Sequence, residues 1–427
     1  MNTKRGRAPL MAVLAGTAVL GFGACAPAGA LHGAALLRLG AVYPLSGTQA
    51  DGAGELAGVK LAAELANQDG GVRGRQVQIV AEDAPSADAA PKAVDKLVSQ
   101  GITVMFGTYG STQSLTATAE ASRRGAVYLE TGAVADIITG RNLPGVLRTV
   151  ATGSTLGRNA ARFADDFVMP GMHLDPRTAR VVVLYEGGDQ YGPSVAYGSL
   201  DEATRLRLNV VDSIAYNPDP HHTDFNALAS KVAADKPDLI LTASYLADAV
   251  DFRRAAMAQH IPVRSIIGTS SAYCRVDFGD ILGQDAVGLF ASDKPDDSLN
   301  PAGLTPAART LLQRARTTYR AEHDGQEMEA EVVAGFVGGW VMMHDILPNA
   351  ASLSRADVWK AAMAVDLPAG SLINGAGVKF SPEGKPDMGQ NLRAAGVIWE
   401  WVGVRHRAVV YPPAYADHAP ETIAINT

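Results

Sequence analysis

Two hydrophobic rhythms alternate along the chain. Leu37–Tyr43 is an apolar run of strand length, and Glu55–Asn67 has apolar positions at helical spacing, closed by Gly70-Gly71. Gln76–Ala81 reads as the next strand. Ala90, Val94, Leu97 and Val98 then share one face of a helix over Ala90–Ser99. Strand Ile102–Phe106, helix Thr112–Arg123 and strand Ala126–Leu129 follow. A second series runs through strand Arg180–Tyr185, helix Ser194–Leu206 and strand Val210–Ala215. It continues with a helix bearing Phe225, Leu228 and Val232 on one face, strand Asp238–Ala243, helix Ala247–Gln259 and strand Ser265–Gly268. The pattern then changes to long helical stretches, Pro306–Glu322 and Glu331–Leu347, and a β-rich tail with Val378–Phe380, Ala394–Val402 and Val409–Tyr411.

Two βα series predict an α/β protein with two doubly wound parallel-sheet lobes flanked by helices. In such sheets ligands lie beyond the carboxyl ends of the strands. The loops at those ends are Tyr43–Gly54, Gly107–Thr112, Glu130–Asp136, Glu186–Pro193, Ser244–Ala247 and Thr269–Tyr273. They are rich in Ser, Thr, Tyr and Gly and poor in charge, which suits a cleft that hydrogen-bonds a small molecule. No low-complexity linker separates the halves, so the lobes are expected to exchange strands. Candidate crossings lie near Ala151–Ser154, Ala286–Ser292 and Lys385–Asn391. This predicts a first lobe of residues 36–151 and 287–385 and a second of residues 152–286 and 386–427.

Composition narrows the function. A chain of 427 residues with 47% apolar and 19% charged content can bury two cores. A net charge of −7 argues against nucleic acid or an anionic membrane surface as partner. Two cysteines, Cys25 and Cys274, exclude a disulfide framework and a cysteine-built zinc site.

The N-terminus sets the compartment. Lys4, Arg5 and Arg7 precede an apolar run from Leu10 to Phe22, and small residues then lead to Cys25, the layout of a signal peptide over residues 1–25. That run is about half of a membrane span, and no later segment offers an uncharged apolar stretch of spanning length. The mature protein is therefore expected to be exported and soluble, in the periplasm. Phe22-Gly-Ala-Cys25 resembles a lipoprotein box, in which Cys25 would receive a lipid. Ala24-Cys25-Ala26 and Ala28-Gly29-Ala30 offer ordinary cleavage sites instead.

Longer stretches resemble one family. Leu39-Gly-Ala-Val-Tyr-Pro-Leu-Ser-Gly47, Gly58-Val-Lys-Leu-Ala-Ala-Glu-Leu-Ala-Asn67 and Gly70-Gly-Val-Arg-Gly-Arg-Gln-Val-Gln-Ile-Val-Ala-Glu-Asp83 are similar to the branched-chain amino-acid (leucine/isoleucine/valine) binding proteins of ABC transporters. Gly107-Thr-Tyr-Gly-Ser-Thr-Gln113, Asp189-Gln-Tyr-Gly192, Thr223-Asp-Phe-Asn-Ala-Leu228 and Ala286-Val-Gly-Leu289 continue the resemblance in order through the mature chain. It implies a type I periplasmic-binding fold: two lobes joined by three crossings that close on a ligand and deliver it to permease subunits. It implies a monomer that works without a cofactor.

Carried over by position, the family's first-lobe ligand contacts fall on Ser111, Gly132 and Val134, and its second-lobe contacts on Tyr191, Tyr245 and Ser270. Ser111 also has a local rationale, since a hydroxyl and amides at a helix start suit a carboxylate. Tyr191 and Tyr245 follow strands and can cover a ligand while offering a hydroxyl. Amino-acid binders of this family usually carry threonine where Val134 stands and an acid where Ser270 stands. That acid pairs the ligand's ammonium, and a buried ammonium without a partner is costly. The departures admit an organic acid, amide or other small polar metabolite beside an amino acid. Glu130 or Asp136 could replace the missing acid, but both read first as solvated loop carboxylates.

Catalysis is disfavoured. Gly52-Ala-Gly54-Glu-Leu-Ala-Gly58, with Glu82 and Asp83 further on, imitates a dinucleotide fingerprint, but the glycines start about nine residues beyond the strand and the acids come too late. No Gly-x-Ser-x-Gly elbow occurs. His221-His222 sit beside Asp219 and Asp224, a pattern read as a solvated loop, and no metal site is expected. The competing role is a ligand sensor of the same fold that signals to a regulator.

Overall fold

Why the strands come first is visible in their burial. Leu37–Tyr43 (β1) is buried at six of seven positions, as its apolar run predicts. In this computed structural model residues 36–47, 51–217, 223–423 and 425 are described. The signal-peptide reading, Cys25 and His221-His222 lie outside them.

After β1 come Gly52–Gln68 (α1), Val77–Asp83 (β2), Ala90–Ser99 (α2), Val104–Gly107 (β3), Ser111–Arg123 (α3), Val127–Glu130 (β4), the single turn Ile137–Gly140 (α4) and Val146–Arg148 (β5). All five strands pair in parallel in the order β2-β1-β3-β4-β5. The chain then enters Gly153–Phe163 (α5) and the short Met169–Gly171 (α6). It continues through Val181–Glu186 (β6), Tyr191–Leu206 (α7), Val210–Tyr216 (β7), Phe225–Ala234 (α8), Leu239–Ala243 (β8), Leu246–Ala258 (α9), Ser265–Thr269 (β9), Val276–Leu282 (α10) and Phe290–Asp293 (β10). Pro306–Glu322 (α11), Ala330–Trp340 (α12) and Arg355–Met363 (α13) precede the hairpin Val397–Gly403 (β11) and His406–Tyr411 (β12).

The second sheet runs β12-β11-β10-β9-β8-β6-β7. Its centre is parallel and the terminal hairpin is antiparallel. β10 pairs with β9 and β11, so residues 290–293, grouped by the sequence with the first lobe, belong to the second sheet. Apolar pattern alone could not tell a last strand from a crossing. Val378–Phe380 forms only isolated bridges, with Leu367 and Asn391, because two neighbouring backbone positions never line up into a ladder.

Helix α1, backed by α11 and α12, covers one face of the first sheet and α2 and α3 the other; α5 and α7 cover one face of the second, and α8, α9 and α10 share a buried cluster with its opposite face. Residues 330–349 are long and apolar enough to cross a membrane by length and composition, although Glu331 and Asp345 keep them from being an uncharged run. This segment is instead 89% buried inside the protein, as a core helix. Glycines set how closely it packs. A Cβ at Gly58 would lie 1.9 Å from the Val332 carbonyl oxygen, and one at Gly335 would lie 2.0 Å from the Glu55 carbonyl oxygen. The glycine run that imitates a nucleotide fingerprint therefore serves close helix packing.

Candidate functional site

The strand-end loops of the two sheets face each other, and the chain bonds across the gap. Asp51 before α1 pairs with Arg275 before α10 at 2.7 Å. The Thr112 amide in the first turn of α3 donates to Asp189 Oδ2 on the second lobe, 3.3 Å away. The Asp136 amide donates to Ser194 Oγ at 3.1 Å, and Asp136 Oδ1 accepts from the Ser154 amide at 3.0 Å. These bonds hold the cleft shut.

On the first-lobe wall, Gly107 ends β3 with φ +143°, and a Cβ there would lie 2.0 Å from the Val42 carbonyl oxygen, so only glycine fits. Ser111 opens α3, and its buried hydroxyl accepts from the Ala135 amide at 3.2 Å. Glu130 at the end of β4 is not the solvated loop acid the sequence suggested but fully buried. Its carboxylate accepts from the amides of Thr108 (2.8 Å), Thr131 (3.0 Å), Gly132 (3.0 Å) and Ala133 (2.9 Å), and from the Ser114 hydroxyl. Burial pushes its pKa up to about 7 even against those donors. Asp136 is likewise no free loop acid, since it caps α5 through Ser154. The Gly132 amide thus points into the loop's own carboxylate, and a side chain at 132 would strike Glu55 Oε1. Val134 is buried in an apolar cluster with Leu156, Tyr191, Val195 and Ala334, against which Tyr245 packs.

On the second-lobe wall, Tyr191 opens α7 and is only 2% exposed. Its hydroxyl lies 2.9 Å from Thr269 Oγ1 and donates to the Ser270 carbonyl oxygen. Its ring sits 5.5 Å from that of Tyr245, tilted by 59°. Ser270 follows β9, and its hydroxyl accepts from Lys294 Nζ at 3.3 Å. The six residues singled out from the sequence therefore divide between the two walls of one cleft, with Val134, Tyr191 and Tyr245 in a shared apolar cluster.

Sequence reasoning missed a charged group behind them. Lys294, 3% exposed, lies 3.6 Å from Asp293 Oδ1. Burial works against its charge, but Asp293, Glu331 and Glu55 outweigh that and hold the ammonium pKa above its usual value. Glu55 Oε2 accepts from Thr131 Oγ1 at 2.8 Å, and burial followed by Glu130 pushes its pKa well up. Glu331 lines a cleft of about 560 Å³ with Asp51, Gly54, Arg275, Glu329 and Val332. The signal that could have found Glu331 is a single acid set in the otherwise apolar helical run Ala330–Trp340, since such a charge is rarely buried unpaired; Glu55 shares its helix with Lys60 and Glu64 and has no such mark. Lys294 has no such local mark.

A profile of the family described as periplasmic binding protein matches residues 37–397. The chain belongs to the periplasmic binding protein family. The Leu/Ile/Val-binding protein homolog 8 of Brucella abortus (strain 2308) is 29% identical to this binding protein over 369 residues, covering 85% of this chain and 88% of the relative. Among solved structures, the leucine binding protein LivK of Thermotoga maritima superposes with a TM-score of 0.72 at 17% identity, over 88% of this chain and 97% of that one. The R. palustris solute binding protein in complex with benzoate gives 0.72 at 19% identity, over 92% and 99%. These similarities fix the type I two-lobed fold and the class of the protein as a binding protein.

Proposed function

We propose that this chain is the extracytoplasmic solute-binding component of an ABC transporter. It captures a small solute between its lobes and presents the closed form to permease subunits in the membrane. The observation that carries this reading is the cleft itself: strand-end loops of two sheets converge there and bond across it, and two tyrosines and a buried lysine cover a common centre. A solute that touches both lobes stabilises the closed arrangement by its extra contacts there. Export fits the basic and apolar N-terminal pattern, with the first 25 residues removed or Cys25 lipidated.

Relatives named for leucine, isoleucine and valine and a neighbour holding benzoate span amino acids and aromatic acids. Val134 and Ser270 depart from the amino-acid pattern, so the candidates extend to organic acids and amides. Thermal melting against such a panel tests the reading. A true ligand at one hundred times its Kd adds about 2.7 kcal/mol to stability. A flat response to every small molecule, with the protein folded, would sink the proposal.

A further inference from the structure

Helix α3 begins without a cap of its own. Gly110 stands at the capping position and has no side chain to offer. The first amides of a helix lack partners inside it, and together with the helix dipole they make that end positive. What answers it comes from the opposite lobe: Asp189 Oδ2 accepts from the Thr112 amide at 3.3 Å.

Asp189 is held firmly for this contact. Its own amide donates to Glu186 Oε1 at 2.9 Å, and its Oδ1 accepts from the Tyr191 amide at 2.7 Å, so the turn between β6 and α7 fixes the carboxylate in place. It is only 8% exposed, and no lysine, arginine or histidine pairs with it among the described residues. A carboxylate shielded this far without a cation is costly, and the start of α3 is what offsets it.

The same wall keeps other donors open. The Ser111 amide, next to that of Thr112, and the Val134 amide meet no acceptor among the described residues. Ser111 Oγ accepts from the Ala135 amide, which draws the loop carrying Val134 up to the start of α3. An anionic group of the solute that takes these amides therefore shares one helix end with Asp189. Two like charges about 5 Å apart at a dielectric of about 20 repel by more than the energy of a ten-fold change in affinity.

We propose that Asp189 is a selectivity residue: held by the second lobe against the start of α3, it sets how strongly a carboxylate on the solute binds at the neighbouring Ser111 and Val134 amides. The assignment rests on the cleft being the solute site. It admits acidic and neutral solutes alike and fixes the charge that each of them meets when the lobes close.

Calorimetric titration of three matched pairs tests it: leucine and leucinamide, isocaproate and isocaproamide, benzoate and benzamide. Within each pair an ionised carboxylate is exchanged for a neutral group of the same shape. Asp189→Asn should raise the carboxylate-over-amide affinity ratio at least ten-fold in every pair that binds. Looser closure would weaken both members of a pair alike, so it leaves the ratio where it was. A smaller rise, no change or a fall in the folded variant overturns the inference. Should Asp189→Asn fail to fold, Asp189→Ser and then Asp189→Ala take its place; a chain that folds with none of the three makes Asp189 purely structural, which overturns it as well. If no pair binds while another small solute shifts the melting curve, the inference fails and solute capture stands. If nothing binds at all, both fail.

Discussion

The Asp51 carboxylate, in front of α1, lies 2.7 Å from the Arg275 guanidinium of the opposite lobe. Both side chains are partly shielded, Arg275 at 16% exposure and Asp51 at 34%. The pair exists only while the cleft is shut, so its energy belongs to closure and not to folding of either lobe.

Arg275→Ala should therefore loosen closure while leaving each lobe folded, at a cost to the closed form of about 1 kcal/mol, the upper end for a surface pair because Arg275 is largely shielded. Ligand affinity falls as the closed population falls, because a solute then has to shift more of the protein. Small-angle scattering of the ligand-free protein should show a larger radius of gyration than wild type. An unchanged radius with unchanged affinity would mean that the pair plays no part in closure.

Tyr191 needs a gentler substitution than truncation. It is 2% exposed and sits in the interlobe cluster, so Tyr191→Ala removes a large buried ring and should cost about 3–5 kcal/mol. Tyr191→Phe keeps the ring and removes the hydroxyl bonded to Thr269 and Ser270. It should cost about 1 kcal/mol by urea unfolding and weaken solute binding several-fold. Full retention of affinity in a folded Phe variant would make the hydroxyl purely structural.

Gly58→Ala tests the helix contact beneath the cleft. The added Cβ would sit 1.9 Å from the Val332 carbonyl oxygen and 2.5 Å from the Phe336 amide nitrogen, both backbone. Neither can rotate away, so α1 and α12 must part, at a cost of about 1–3 kcal/mol or more. A melting temperature equal to wild type would contradict that packing.

Glu130 predicts a pH dependence. Its folded pKa of about 7 lies above the ordinary glutamate value, so the folded protein binds a proton that the unfolded chain has already released in that window. The contribution is complete below the unfolded value and is lost as pH rises through the folded one, up to about 3 kcal/mol. Glu186 and Glu400, also raised to about 7 by burial, act in the same direction. Urea midpoints should fall between about pH 4.5 and 7. Glu130→Gln should flatten part of that slope, while costing stability at every pH through the Thr108 amide left facing an NH₂ group.

Much of the frame is legible in the sequence because burial imposes local periods. Leu37–Tyr43, Ala90–Ser99 and Pro306–Glu322 read within a residue of their observed bounds. β5, three residues long, gives no period to read, and β10 resembles a crossing because membership of a sheet is decided by partners over a hundred residues away, such as β11. The same holds in the cleft. Ser111, Tyr191 and Tyr245 stand at strand-to-helix turns and so announce themselves. Lys294 reaches Ser270 only because the chain leaves the second sheet at that point, and Glu331 arrives on a helix from far along the chain.

At Gly58 and Gly335 the contacts between α1 and α12 bring backbone against backbone, on the helices that carry Glu55 and Glu331. When the lobes part, these two acids travel as cargo on one rigid piece, and only what faces them changes. The first lobe thus brings its half of the cleft ready-made.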